Sequence, residues 1–304
     1  MNFLFLFLDG VGLGNNNPNN NPFARVGMPT LQKLLGGQTL LGATAPCEFE
    51  RATLIGLDAC LGVEGLPQSA TGQAALLTGI NIPSEINNHY GPKPNPAVAE
   101  FLRESNLFIS LHKKGRESAL LNAYPPSYFE AIDSGRRLYA AIPLAVTSAG
   151  IPLKTVEDLY AGQALSADFT GQGWRDHLGY PDTPVYTPHQ VGEKLTNLTR
   201  AYDLAFFEFW PSDYAGHQQD MGAACAMLKT FDQVLAGLLD TWDDQDGLIL
   251  ITSDHGNMED LSTRRHTLNL VPGLVIGSQL ARETFTSNLY DLTGITPAIL
   301  QLFE

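Results

Sequence analysis

The chain has 304 residues, 44% of them hydrophobic and 16% charged, a composition that supports a sizeable core and excludes a disordered chain, a coiled coil or a disulfide miniprotein. Its 18 Lys and Arg face 32 Asp and Glu, a formal charge of −14; such a surface repels phosphate backbones and anionic lipid, so neither a nucleic-acid nor a membrane partner is expected. The cysteines, Cys47, Cys60 and Cys225, match no disulfide or zinc-ribbon spacing and suit a reducing compartment.

Residues 3–8 are apolar at every position, the pattern of a strand covered on both faces. This run lacks the basic n-region and cleavage site of a signal peptide. Neither it nor any later run reaches the roughly 18 apolar residues of a membrane span, so a cytoplasmic protein is expected. Asp9 closes the strand, and the following Gly10-Val11-Gly12-Leu13-Gly14 runs into an Asn-rich tract rather than a helix, which excludes a dinucleotide fingerprint. Gly10 and Gly12 instead leave room for backbone beside an ion held by Asp9. Helical periodicity covers residues 28–35 and again 70–77, where Leu66-Pro67-Gln68-Ser69-Ala70-Thr71-Gly72-Gln73 leads into the second helix. By default a hydroxyl here, from Ser69 or Thr71, is an N-cap; the same geometry also suits a nucleophile, because the helix dipole and free N–H groups favour an oxyanion and a bound phosphate.

From about 89 to 186 the chain is rich in Pro, Gly and Tyr, with only short candidate strands at 118–121 and 138–142. We expect residues 89–186 to form an inserted, smaller α+β cap. Residues 1–88 and 187–304 then form the metal-binding catalytic α/β core. Beyond the cap, a periodic helix at 191–198 precedes an apolar strand at 204–209. Asp213 and His217 follow four residues apart, so on a helical turn both face one ion. An amphipathic helix at 225–239 leads to a strand at 248–251, which is closed by Asp254 and His255; Gly256 lets the backbone turn. His266 precedes the apolar run 270–276, which Pro272 and Gly273 assign to a sheet edge or bulge. Alternating strands and helices predict an α/β fold with a mostly parallel central sheet flanked by helices. The polar groups then gather outside the carboxyl ends of its strands.

Asp9, Asp213, His217, Asp254, His255 and His266 are therefore the candidate metal ligands. Each alone reads equally well as a loop cap or a surface residue. Together, carboxylates and neutral imidazoles suit Mn²⁺ or Zn²⁺, and six donors plus a hydroxyl suffice for two divalent ions. Arg136, Arg137 and Arg265 are the candidate phosphate contacts, since guanidinium groups bind phosphate bidentately. Gln73, Asn257 and Asn269 are candidates for orienting the ligands from behind.

Five ordered motifs carry a family resemblance: Asp9-Gly, Gly65-Leu66-Pro67 leading to Ser69-x-x-Gly72, Asp213-x-x-Gly216-His217, Ser253-Asp254-His255-Gly256-Asn257, and His266-Thr267-x-Asn269-x-Val271-Pro272. In this order they resemble the metalloenzymes of the alkaline phosphatase superfamily, nearest to its cofactor-independent phosphoglycerate mutases and phosphopentomutases. The resemblance implies an alkaline-phosphatase-like core in which Asp213, His217 and His266 hold one metal while Asp9, Asp254, His255 and the Ser69 oxygen hold the other. It implies that Ser69 is the nucleophile and that a phosphoserine is discharged to water or to a second hydroxyl, making a phosphatase or a phosphomutase acting on a small phosphorylated metabolite. Gln73 stands where the mutases usually have His. The same core also suits hydrolysis of phosphodiesters, phosphonates or sulfate esters, and a non-catalytic metal-binding protein is the outside alternative.

Overall fold

In the computed structural model, which describes residues 1–304, strand β1 (Asn2–Leu8) lies inside a seven-stranded sheet. The others are β2 (Cys47–Glu48), β3 (Ala52–Leu57), β4 (Ser118–Leu120), β5 (Leu204–Phe209), β6 (Gly247–Thr252) and β7 (Val271–Ile276). Their order is β2-β3-β7-β6-β1-β5-β4. β4, β5, β1 and β6 pair in parallel, and β7 pairs antiparallel with both β6 and β3. The sheet is thus mixed and mostly parallel, with helices on both faces.

Strand alternation explains the two layers. Phe3, Phe5 and Phe7 of β1 enter one buried cluster with Leu204 and Phe206 of β5. Leu4, Leu6 and Leu8 enter the other with Ala205, Phe207 and Phe209. Each fully buried side chain of this size contributes roughly 1.5–3 kcal/mol. The Ser69–Thr78 helix covers the Phe face. The Pro188–Thr199 and Met221–Thr241 helices, packed on each other, cover the Leu face. Both lie over the stretches where helical periodicity predicts them. No helix is long and apolar enough to cross a membrane.

Three expectations are corrected. Residues 89–186 are not a separate unit: β4 is an edge strand of the main sheet, paired with β5, and the Pro96–Glu104, Leu107–Lys113 and Ala141–Ser148 helices bury Val98, Phe108 and Ile142 in the Phe-face cluster. Only a small satellite around Val156, Leu159 and Trp174 has an apolar cluster of its own. Pro- and Gly-rich composition marks turns between short helices as readily as it marks a domain boundary. Second, the candidate strand at 138–142 is not a strand; the Ala141–Ser148 helix begins within it. Third, β7 is interior rather than an edge. β6 pairs only with Leu274 to Ile276 of β7, so Pro272 lies beyond the end of β6, opposite Gly56 of β3, and removes no bond from the β6 ladder.

Candidate metal centre

Parallel strands in register bring their exits together. Leu8 lies opposite Phe209, and Phe7 opposite Thr252, so the residues just past β1, β5 and β6 converge. Asp9 follows β1 directly. After β5 the chain enters the Pro211–Gln218 helix with Pro at its first position. Ser212 Oγ donates to the carbonyl of Asp9 at 2.6 Å and fixes the helix against it. On that helix Asp213 Oδ2 and His217 Nε2 are 3.2 Å apart. Gly10 has φ +67°, and a Cβ there would sit 2.6 Å from Asp213 Oδ1, so glycine is needed both for the turn and for the approach.

The imidazoles point inward for a definite reason. His266 Nδ1 donates to the Pro67 carbonyl at 2.6 Å, and His217 Nδ1 donates to that of Arg264 at 2.8 Å. Each Nε2 therefore keeps its lone pair, and the two lie 3.4 Å apart. His266 Nε2 is 3.8 Å from Asp213 Oδ1. Around His255 Nε2 lie Ser69 Oγ at 3.0 Å, Asp9 Oδ1 at 3.5 Å and Asp254 Oδ2 at 3.6 Å. For a tetrahedral ion with bonds of about 2.1 Å, donor atoms are separated by about 3.4 Å. The Asp213, His217 and His266 donors meet that spacing, as do the distances from His255 Nε2 to its neighbours. Asp9 Oδ1 is buried with no hydrogen-bond partner, which a coordinated cation would satisfy. Asp213 clusters within 4.8 Å both with His217 and His266 and with Asp9 and His255, whereas Asp254 belongs to neither cluster.

The electrostatics agree. The ion-pair partners of Asp9, Asp213 and Asp254 are imidazoles, with no Lys or Arg among them. Burial, followed by the charges of Asp254 and Asp213, raises Asp9 well above the carboxylate range. Burial and then Asp213 push Asp254 up to about 7, against the pull of the Gln73 amide. Burial lowers His255, and burial together with His255 lowers His266 to about 4. Burial thus disfavours the charged forms of Asp9, Asp254, His255 and His266, a cost that a bound cation would offset for the carboxylates.

Ser69 is the first residue of the ten-residue Ser69–Thr78 helix. Gly72 lets that helix approach, since a Cβ there would lie 2.7 Å from the Asp254 carbonyl; this is the physical content of the Ser69-x-x-Gly72 spacing. One turn beyond Ser69, Gln73 Nε2 donates to Asp254 Oδ2 at 3.0 Å and to Asp9 Oδ2 at 3.3 Å. Asn257 Nδ2 donates to Asp213 Oδ1 at 2.7 Å. Asn269 reaches no candidate ligand and donates instead to Glu259 Oε1 at 3.0 Å. Of the arginines, Arg136 is exposed and donates to Ser134 in its own turn. Arg137 stands 4.7 Å over the Tyr128 ring. Arg265 is exposed beside His266.

Two buried acids escape a sequence reading. Glu259 accepts from the backbone N–H of Gly12 at 2.9 Å and of Asn257 at 2.8 Å, and from the Thr267 hydroxyl and Asn269; it ties the loops after β1 and β6 to the segment that bears His266. Glu208 lies on β5, its backbone N–H bonded to Asn122 Oδ1 at 2.8 Å. Burial and then Asp254 raise its carboxyl to about 7, while a hydrogen bond from Tyr124 draws it back. A lone acid within an otherwise apolar strand is the signal that marks Glu208.

Residues 177–304 match the family model described as Metalloenzyme superfamily. The chain is 28% identical over 154 residues to the 2,3-bisphosphoglycerate-independent phosphoglycerate mutase of Antithamnion sp., covering 46% of this chain and 30% of that protein. It is 27% identical over 306 residues to the protein of the same name from Pyrococcus horikoshii, covering 89% and 70% respectively. The chain thus spans under a third of the first of these relatives. A solved Pyrococcus horikoshii structure superposes with a TM-score of 0.59 at 14% identity, covering 99% of this chain and 96% of that one. Alkaline phosphatase from the Antarctic bacterium TAB5 gives 0.53 at 14%, covering 99% and 97%. The fold is that of alkaline phosphatase, and residues 177–304 match a metalloenzyme superfamily. In sequence the chain resembles the cofactor-independent phosphoglycerate mutases.

Proposed function

We propose that this chain transfers a phosphoryl group from a small phosphate ester to Ser69, and from Ser69 to water or to a second hydroxyl of the substrate. The observation that carries this reading is the place of Ser69, whose Oγ lies 3.0 Å from His255 Nε2 at a helix N-terminus inside the Asp/His cluster. Asp213, His217 and His266 would hold one divalent ion, manganese or zinc; Asp9, Asp254, His255 and the Ser69 oxygen would hold a second. When bound, such ions offset phosphoryl charge and lower the pKa of a hydroxyl.

Ser69 Oγ gives up its proton and attacks phosphorus opposite the ester oxygen. The P–O bond to the alcohol breaks, the alcohol leaves with a proton, and a phosphoserine remains. Attack by water, or by the second hydroxyl, then breaks the bond from phosphorus to Ser69 Oγ, and the proton of the attacking O–H restores the serine. The helix N-terminus favours the negative oxygens throughout. Gln73 holds Asp9 and Asp254 in place. Arg137 is the preferred anion contact among Arg136, Arg137 and Arg265: after burial, its charge is what lowers the pKa of Lys93, and a Cβ on Gly91, two residues from Lys93, would lie 3.3 Å from the Ser69 nitrogen. Water is favoured as acceptor because the His217 side chain is 40% exposed and leaves one side of the centre open to solvent. Three free cysteines suit a cytoplasmic location.

The test is turnover by manganese- or zinc-loaded protein on p-nitrophenyl phosphate, 3-phosphoglycerate and pentose 1-phosphates, following free phosphate and isomer separately. Free phosphate supports the phosphatase form, and isomer without free phosphate the mutase form. Neither product, or full activity retained in Ser69→Ala, overturns the reading.

A further inference from the structure

Two aromatic side chains outside the mechanism stand beside the centre. Trp210 caps the Pro211–Gln218 helix and Tyr214 follows four residues later, so their rings share one helix face. Asp213 lies three residues after Trp210, and His217 three after Tyr214; the ring pair and the ligand pair are adjacent stripes on one surface. The other tryptophans, Trp174 and Trp242, are 4% and 9% exposed, whereas Trp210 is 49% and Tyr214 60% exposed. Neither joins the hydrophobic clusters that cover the sheet.

The occupant follows from size and charge. Two rings fall far short of the roughly 800 Å² that each partner contributes to a stable protein interface. They border a centre built to take an anion, and aromatic faces favour planar rings by offset stacking. We infer that Trp210 and Tyr214 form a stacking platform for a planar ring carried by the ester group of the substrate, either a simple aryl group or a nucleobase. This rests on the phosphoryl-transfer reading and deepens it by naming the substrate class.

The experiment uses manganese-loaded protein and two phosphonates, benzylphosphonate with a ring and methylphosphonate without. Because Trp210 is the exposed indole, its emission reports stacking directly. Benzylphosphonate is expected to quench it and to bind about tenfold more tightly than methylphosphonate in calorimetry. Tyr214→Ala and Trp210→Ala should each remove most of that advantage and leave methylphosphonate affinity unchanged, while Tyr214→Phe keeps it. The phosphonate analogue of adenosine monophosphate, which cannot be cleaved at its P–C bond, separates the two ring sources: binding tighter than benzylphosphonate supports a nucleobase, and weaker binding supports the aryl group. Equal affinity of the two phosphonates, or an advantage that survives both alanine variants, overturns the platform alone. If neither phosphonate binds, the phosphoryl-transfer reading falls and the platform with it.

Discussion

Gln73 donates from Nε2 to Asp254 Oδ2 across 3.0 Å, from a position one helical turn beyond Ser69. The same amide reaches Asp9 Oδ2, so one neutral side chain spaces two buried acids that otherwise face each other. Gln73→Leu should therefore lower manganese affinity 10- to 100-fold, the usual effect of removing a group that orients a ligand. Calorimetric titration checks this; a change under threefold would show that the carboxylates hold their places unaided.

Thr71 separates the two hydroxyls that the sequence leaves open. It is fully buried, and its Oγ1 accepts from the Tyr90 N–H at 3.1 Å and lies 3.2 Å from the Gln68 carbonyl. Thr71→Ala leaves that N–H unpaired and should cost about 1–3 kcal/mol in urea unfolding, with turnover of the folded protein kept within threefold. Ser69→Ala should abolish turnover with metal content near wild type. The reverse pattern would make Thr71 the nucleophile.

Glu208 predicts a pH dependence with a definite sign. Its folded value of about 7 lies above the ordinary 4.5, so the folded state binds its proton more tightly than the unfolded chain does. The contribution is favourable at acid pH and declines as pH rises from 4.5 to about 7. At 1.36 kcal/mol per pH unit the span amounts to roughly 3 kcal/mol. Urea unfolding of metal-free wild type and Glu208→Gln across that range should show the difference in their stabilities falling by this order. Parallel curves would mean that the carboxylate ionises without penalty.

Glu259 should matter for stability well beyond its surroundings. Glu259→Ala strips acceptors from two backbone N–H groups, an amide and a hydroxyl. We expect a loss of at least about 3 kcal/mol in thermal or urea unfolding, and weaker metal binding as the His266 segment loosens. Glu259→Gln, which keeps an acceptor oxygen, should recover part of both.

What could be read from sequence was what local chemistry sets. β1, β6 and, apart from Glu208, β5 are apolar on both faces, and such runs end where a buried sheet ends. The residues just past them, Asp9, Asp213, Asp254 and His255, are polar because the carboxyl edge of the sheet is where ligands sit. The rest depends on pairing across long distances. β3 has no apolar run longer than its neighbours, and its place beside β7 is set by residues more than 200 positions later. β4 is three residues long and joins the sheet only because β5 offers a free edge. Glu259 resembles any loop acid until Gly12 and Thr267 are folded against it. Asn269 was expected behind a ligand, yet it serves Glu259, a partner no local motif announces.

The register of β1 bears on how such a chain tolerates change of length. Asp9 is placed by a central strand, whereas the turns that join the short helices between β3 and β5 lie outside the sheet. Lengthening such a turn costs chiefly loop closure, about 0.6 kcal/mol for each doubling. Adding one residue within β1 would exchange the phenylalanine and leucine faces and turn Asp9 away from its partners. Insertions and deletions are therefore confined to the connections, and the geometry of the centre can persist while the chain around it grows or shrinks.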